Sequence, residues 1–339
     1  MTKNSLRFFS LKMKEKILLT GGLGYIGSHL AYFLSKFYTI VIVDLICNKK
    51  IELFLAQKIG AQNIYHCNLC DSKSLKNIFE ENQDIKYVLH VADLKNLTTS
   101  IKEPLAYYYN NVISLLNLLQ LMERFYIRHI IFSSSAAVYS DPKTLPIFED
   151  ISLTNPTSPY GKAKKFCENI LEDVSLRGNI QSLSLRFFNI VGQTIKVNTP
   201  KSGDLLTAIT DTISGKQSYL KIFGNKFLTD DGYSKRDYVH IMDLVNAYKK
   251  SLSFLDKNNV NHLIFNISSG EAISTKSVIE KFEKNINKKI KCKVFPPREG
   301  EIFQIYGSNT KAKEILNWIP KFTINEIVDS LINALKYTS

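Results

Sequence analysis

The sequence predicts an α/β fold, a doubly wound parallel sheet with a smaller mixed α/β region towards the C-terminal end. Three observations predict it. Short apolar runs of strand length recur along the first two-thirds of the chain. Segments with helical spacing separate them, and the first run ends in a glycine cluster that opens a helix. Strands that alternate with helices pair in parallel, because each crossover helix returns the chain to the same end of the sheet and covers a face.

The elements follow in order. Residues 17–20 (Ile-Leu-Leu-Thr) form the first strand and run into Gly21-Gly-Leu-Gly24-Tyr25-Ile26-Gly27. Leu30, Phe33 and Leu34 then continue with helical spacing. The glycines fit both a G-x-G-x-x-G and a G-x-x-G-x-x-G pattern. Strand, tight turn and helix N-terminus together make a pyrophosphate site, with backbone N–H groups and the helix dipole facing the anion. A second strand at 39–43 ends on Asp44, 20 positions beyond Gly24. An acid there bonds adenosine ribose hydroxyls and repels a 2′-phosphate, which favours NAD over NADP, although Lys49 and Lys50 pull the other way. Further strands are expected at 63–67, 87–91, 129–132 and 183–187, and helices at 51–59, 75–82, 104–124 and 159–176. From about Ile190 to Asp237 the alternation fades. A helix at 242–255 and a strand at 263–268 return to the sheet, and the remainder reads as a small mixed cap. No internal repeat or long linker interrupts the chain. Leu115, Leu116, Leu118, Leu119 and Met122 make the 104–124 helix apolar on more than one side, which fits deep burial and also fits pairing with a second subunit in a homodimer.

Composition narrows the classes. A chain of 339 residues with 45% apolar content buries a large core and suits two domains or one enlarged one. No apolar stretch reaches membrane-span length, so no membrane association is expected. Residues 1–13 are basic, with too brief an apolar segment for a secretory signal, and are expected to form a flexible tail. Five cysteines, Cys47, Cys67, Cys70, Cys167 and Cys292, suit free thiols in a reducing cytoplasm. Cys67 and Cys70 have redox-motif spacing but no second pair to complete a zinc site, and the histidines lack ligand spacing, so no metal is expected. The net charge of +13 is scattered along the chain and would attract a diphosphate. No nucleic-acid recognition module accompanies it.

Ser133-Ser134-Ser135 closes one apolar run, and Tyr160-Gly-Lys-Ala-Lys164 follows. A tyrosine and a lysine four positions apart share a helix face, which puts an ammonium beside a phenol and favours the phenolate. Bringing a tyrosine from about 10 to near 7 takes roughly 4 kcal/mol of differential stabilisation.

These motifs together resemble the extended short-chain dehydrogenase/reductases and, among them, the UDP-glucose 4-epimerase group. The resemblance runs through residues 18–29, 94–95, 102–108, 110–112, 132–139, 185–189, 222–225, 236–240 and 298–300, with Tyr160 and Lys164, in the order of the family. It implies a Rossmann domain over 14–189, with 242–269 returning to it, and a UDP-sugar-binding cap made of 190–241 and 270–339. It implies NAD as cofactor, held by Gly21, Gly24, Tyr25, Ile26, Gly27, Asp44, Leu45, Ile46, Cys47, Asn48, Lys49, Asn68, Leu69, Val91, Ala92, Lys95, Asn110, Ser135, Tyr160, Lys164 and Phe188. The UDP-sugar would lie on Ser135, Tyr160, Asn189, Lys221, Ile222, Phe223, Arg236, Arg298 and Glu301. The arginine forks suit phosphate oxygens on physical grounds as well.

The implied chemistry is interconversion of UDP-glucose and UDP-galactose at C4 of the sugar; the alternatives are C4 epimerisation of UDP-N-acetylglucosamine or UDP-xylose, and a non-catalytic NAD-binding scaffold. Tyr160 would be the acid/base, Lys164 would lower its proton affinity, and Ser135 would bond the 4-oxygen. Related dehydratases and decarboxylases carry acids just after the serine, where this chain has Ala136 and Ala137. The chain also departs from the family. Asn68 stands for an Asp, Asp93 for a small residue and Glu301 for an Asp, and residues 201–207 lack the usual run over the substrate. By the same resemblance, Ile305 falls where the family has a gate residue, a large aromatic one excluding N-acetyl sugars and a small one admitting them, and isoleucine is intermediate.

Overall fold

The computed structural model describes residues 14–139, 142, 144–150, 156–197, 204–298 and 302–336. The first half of the chain alternates strands and helices: β1 (Lys16–Thr20), α1 (Tyr25–Leu34), β2 (Thr39–Asp44), α2 (Lys49–Ile59), β3 (Ile64–His66), α3 (Ser72–Glu81) and β4 (Ile85–His90). It continues with α4 (Leu97–Lys102), α5 (Pro104–Arg124), β5 (His129–Ser135), α6 (Pro159–Leu176) and β6 (Gln181–Phe187). Beyond it lie β7 (Asn189–Val191), α7 (Leu205–Ile213), β8 (Leu220–Phe223), β9 (Lys235–Arg236), β10 (Tyr238–His240), α8 (Ile241–Leu255) and β11 (His262–Ile267). The chain closes with β12 (Ile273–Ser274), α9 (Thr275–Ile286), β13 (Cys292–Phe295), β14 (Gln304–Ile305), α10 (Thr310–Leu316) and α11 (Ile324–Leu335).

Seven strands build the main sheet in the order β11-β6-β5-β4-β1-β2-β3, and every pairing is parallel. The order reverses at β1, and ligand crevices of open parallel sheets form beside such a reversal, at the carboxyl ends of the strands. Each face carries its own apolar layer. One joins Ile17, Leu19, Leu30, Ile42, Leu185 and Tyr248, with α1 and α8 lying over it. The other joins Leu18, Val41, Val88, Phe132, Leu118 and Cys167, under α3, α5 and α6. Alternate residues of β1 thus point to opposite layers, as the pleat requires.

Helices α5 and α6 span the ranges the sequence predicts, because Pro104 and Pro159 stand at their starts, where a missing N–H is harmless. Helix α3 begins earlier than its apolar pattern, since the Asp71 side chain caps it by accepting from the Lys73 and Ser74 N–H groups. Helix α4 has too short a pattern to read from sequence. The remaining strands form three small sheets, β10-β7, β12-β9-β14 and β13-β8, around a separate apolar cluster that includes Leu206, Ile222, Phe282 and Ile327. The segment from α10 onwards does not stay with that cap throughout. Ala312, Leu316 and Trp318 enter the first sheet layer, and the Trp318 indole N–H donates to the Asp243 carbonyl at 2.9 Å. Among the described residues no helix is long and apolar enough to cross a membrane. Residues 1–13 lie outside them.

Candidate active site

The candidate side chains gather mainly along the carboxyl edge of the main sheet. The β1–α1 turn holds Gly21, Gly24, Tyr25, Ile26 and Gly27. A Cβ at Gly27 would stand 2.0 Å from the Gly21 carbonyl oxygen, so the helix starts this close to the strand only with glycine there. The first-turn N–H groups of α1 have no intrahelical acceptor, which is the anion-binding arrangement the sequence predicts. The Tyr25 phenol is committed elsewhere: it is buried and donates to the Gly192 carbonyl at 2.6 Å.

Asp44 ends β2 and is buried. Its two carboxylate oxygens accept the N–H groups of Leu23 at 2.8 Å and Ile46 at 2.9 Å, so it braces the glycine turn from below. Burial raises its pKa, and those backbone donors pull the other way. A carboxylate offers about four acceptor positions, which leaves room for ribose hydroxyls. Leu45, Ile46 and Cys47 follow as an exposed stretch, Asn48 caps α2 through the Ile51 N–H, and Lys49 begins that helix. Beyond β3, Asn68 accepts the Cys70 N–H at 2.9 Å and Leu69 is buried. Asn110 lies half-buried on α5, and Phe188 is buried just beyond β6. Cys67 and Cys70 are free thiols. Among the described residues, three potential ligand atoms from Cys47, Glu52 and His66 lie within 4.8 Å of one another at the surface.

The turn after β4 carries Val91, Ala92, Asp93 and Lys95. The Thr20 hydroxyl accepts the N–H groups of Val91 at 3.1 Å and Ala92 at 3.2 Å. Its own hydrogen therefore goes to His90 Nδ1, 2.8 Å away. Burial, aided by the nearby Lys164 charge, pushes His90 down to about 3, so it serves as a neutral acceptor.

Helix α6 delivers the central groups. Ser158 caps it by accepting the Gly161 N–H at 3.1 Å. A Cβ on Gly161 would meet the Ala137 carbonyl at 2.2 Å, so the glycine inside Tyr-Gly-Lys lets the helix lie against the turn after Ser135. Tyr160, Lys164 and Glu168 then share one helix face. Each meets a different serine at the end of β5. Lys164 donates to the Ser133 carbonyl at 2.6 Å. The Ser134 hydroxyl donates to Glu168 at 2.6 Å. Ser135 faces the Tyr160 phenol.

Asp93 changes the electrostatics that the sequence predicts here. One of its oxygens lies 2.8 Å from Lys164 Nζ and accepts the Tyr160 hydroxyl at 3.3 Å. Lys164 is 2% exposed, and its ammonium is shared between the Ser133 carbonyl and this carboxylate. In the protein alone, the surroundings of Tyr160 oppose the expected lowering. Burial holds its proton affinity well above the ordinary phenol value, and the Asp93 charge adds to this, while the Ser135 hydroxyl works the opposite way. The sequence marks Asp93 as a departure, but its pairing with Lys164 depends on a turn that only the fold brings to α6.

Below the site lies a network with little sequence signal. Arg186 grips Glu168 through two bonds, 2.9 and 2.7 Å, and both side chains are 1% exposed. Arg186 also donates to the Tyr139 hydroxyl at 2.8 Å, which donates to Asn266 at 2.6 Å. An arginine inside a strand and a glutamate one turn beyond Lys164 are the only hints that sequence offers.

The expected sugar-nucleotide residues sit on the cap side. Asn189 donates to the Asp237 carbonyl at 2.8 Å. Arg236 donates to the Lys235 carbonyl at 3.0 Å, and Asp237 beside it is fully buried, accepting from Ser268 and Ser269. Ile222 is buried in β8, Lys221 is exposed, and Phe223 carries the Arg298 guanidinium 4.0 Å above its ring. Glu301 and residues 201–203 lie outside the described residues.

The model of the NAD dependent epimerase/dehydratase family matches residues 17–268. The chain belongs to that family. The UDP-glucose 4-epimerase of Pasteurella multocida is 37% identical over 313 residues, covering 89% of this chain and 92% of its own. The UDP-glucose 4-epimerase uge1 of Schizosaccharomyces pombe is 35% identical over 325 residues, covering 92% and 91%. The UDP-glucose 4-epimerase of Bifidobacterium longum, solved in complex with NAD+ and UDP, superposes with a TM-score of 0.88 at 31% identity. That match covers 95% of this chain and 98% of the other.

In this epimerase/dehydratase fold the Glu168–Arg186 pair seats helix α6 against β6. Replacing Glu168 by Gln leaves a buried guanidinium without its counter-charge. The expected loss is about 3–5 kcal/mol of unfolding free energy. Urea denaturation followed by circular dichroism measures it, and an unchanged midpoint would count against the seating role.

Proposed function

We propose that this protein interconverts UDP-glucose and UDP-galactose at C4 of the hexose, with NAD as a resident cofactor and Tyr160 as the acid/base. The observation that carries the reading is the assembly of Ser135, Tyr160 and Lys164 at the carboxyl edge of a sheet whose glycine turn and buried Asp44 suit a dinucleotide. The residues fit NAD. The α1 N-terminus offers backbone donors to the pyrophosphate, Asp44 retains acceptor positions for ribose hydroxyls, and the Lys164 ammonium has three donors, of which two are engaged. Held there, NAD would supply the reversible hydride acceptor for C4.

The residues of the chain handle the proton and the position of the sugar. The Tyr160 oxygen takes the proton of the 4-hydroxyl and later returns it to the 4-oxygen. Ser135 accepts the Ala137 N–H at 3.1 Å, which leaves its own hydrogen to bond the 4-oxygen or the phenol. Lys164, held by the Ser133 carbonyl, aligns the cofactor ribose. Asn189, Lys221, Arg236, Arg298 and Glu301 are assigned to the UDP moiety, the arginines to its phosphates. Ala136 and Ala137 supply no acid at the two positions that follow Ser135, where the related dehydratases and decarboxylases carry theirs, which supports epimerisation over dehydration.

Two further assignments rest on packing. Ile305 pairs with Arg236 and packs against the cluster of Val138, Tyr139, Ile147 and Phe188, and we assign it as the wall that limits the sugar to those without an N-acetyl group. The chain is also assigned as a homodimer. Leu115, Leu118, Leu119 and Met122, whose abundance suggests a second apolar side on α5, are mostly spent inside the subunit. The uncovered surface lies one to three turns earlier, where Leu105 is 82% and Tyr109 62% exposed beside Phe166 of α6 at 55%. A two-helix face of this kind suits the same face of a second copy. Five free cysteines suit a reducing cytoplasm.

Purified protein should equilibrate UDP-galactose and UDP-glucose in a coupled assay. The Tyr160→Phe variant should lose this activity by at least about a hundredfold, the usual size of an acid/base contribution, while calorimetry still detects NAD and UDP-sugar binding. An active Phe variant would remove Tyr160 from its role. Rates on UDP-N-acetylglucosamine equal to those on UDP-galactose would remove Ile305 from its own. Phe166→Glu should shift sedimentation from dimer to monomer, and an unchanged profile would count against the α5–α6 interface.

A further inference from the structure

A small residue at position 93 would leave the ammonium of Lys164 directed at the phenol and the cofactor. Here a carboxylate stands between them. Its side chain is 14% exposed, and one oxygen serves both Lys164 at 2.8 Å and Tyr160 at 3.3 Å. The placement is built rather than incidental. Thr20 and His90 fix the backbone of Val91 and Ala92 just before Asp93, and the Leu94 N–H just after it donates to the Asn111 side chain at 2.8 Å. Elements β1, β4 and α5 thus hold the backbone on either side of Asp93, and α6 meets its carboxylate.

We propose that Asp93 is a positioning residue for proton transfer, which takes up the Lys164 charge and holds the Tyr160 hydroxyl hydrogen. This deepens the reading of Tyr160 as acid/base and rests on it. The physical reason is direct. An unopposed cation stabilises a phenolate, and a carboxylate nearer to that cation cancels its field and repels the developing phenolate. The surroundings supply no other compensating charge among the described residues. Tyr107 of α5, whose ring stands edge-on to Tyr160 at 6.5 Å, stays neutral because burial raises it. His90 of β4 is neutral, and burial pushes the Cys167 thiol of α6 up to about 12. Tyr248 of α8 is likewise raised by burial, and Glu168 is committed to Arg186. The balance therefore lies among Asp93, Lys164 and Tyr160.

The test is a spectrophotometric titration of the purified protein, with the Tyr160→Phe variant subtracted so that only the phenolate of residue 160 is read. Asp93→Asn keeps the shape of the side chain and removes its charge. Asp93→Gly is the second variant, in case the amide disturbs folding. Both should lower the Tyr160 midpoint by about 1–3 pH units. The acidic limb of UDP-galactose turnover should move with it. Midpoints and profiles that superimpose on the parent overturn the proposal while leaving the epimerase reading in place. A midpoint that moves in a protein inactive on UDP-glucose and UDP-galactose supports the charge relation and overturns the epimerase reading instead.

Discussion

The buried pairing of Glu168 with Arg186 is the constraint on which the site depends. It crosses from α6 to β6, next to β5, deep enough that water cannot compete for either partner. A bidentate geometry fixes the rotation of the helix as well as its distance. Because Glu168, Lys164 and Tyr160 recur at helical spacing, fixing the first fixes the other two. Lys164 then reaches the Ser133 carbonyl, and the Tyr160 oxygen comes to rest between Ser135 and Asp93. Removing either partner would leave an uncompensated charge in the interior, which is far more costly than never having placed the pair there.

The same economy runs through the other half of the edge. Asp44 is read from sequence as a ribose acceptor, and it is also the brace of the glycine turn through the Leu23 N–H. Thr20 gathers the backbone after β4 and orients a neutral His90. Polar side chains at strand ends therefore do structural work that keeps backbone donors satisfied while leaving a few atoms to face a ligand. A site built this way has its backbone donors partnered before anything binds, which favours the positional control that hydride and proton transfer require.

The cap is a different kind of structure. Its small sheets are two or three strands wide and are held by their own apolar cluster. Parallel pairing of β8 with β13 and of β7 with β10 joins residues far apart in sequence, so no local pattern announces them. Arg298 lies over the Phe223 ring as a consequence of the first of these pairings. In contrast, the fall-back of Trp318 onto α8 ties the end of the chain to the main sheet, and its single indole N–H finds the Asp243 carbonyl there.

By itself the sequence determined the alternation of strands and helices, the glycine turn, the acid after β2 and the shared face of Tyr160 and Lys164. Each of these is a local pattern whose period or spacing the backbone enforces. The starts of α5 and α6 were legible for the same reason, since proline marks them. Only the tertiary structure decided which charge Lys164 would meet, because Asp93 and Lys164 are brought together by strand order and not by proximity in the chain. It also decided that Tyr25 would spend its phenol on Gly192, that Leu115, Leu118 and Leu119 of α5 would be buried within the subunit, and that Arg186 and Glu168 would find each other. Long-range partners are chosen by packing, and packing is a property of the whole sheet.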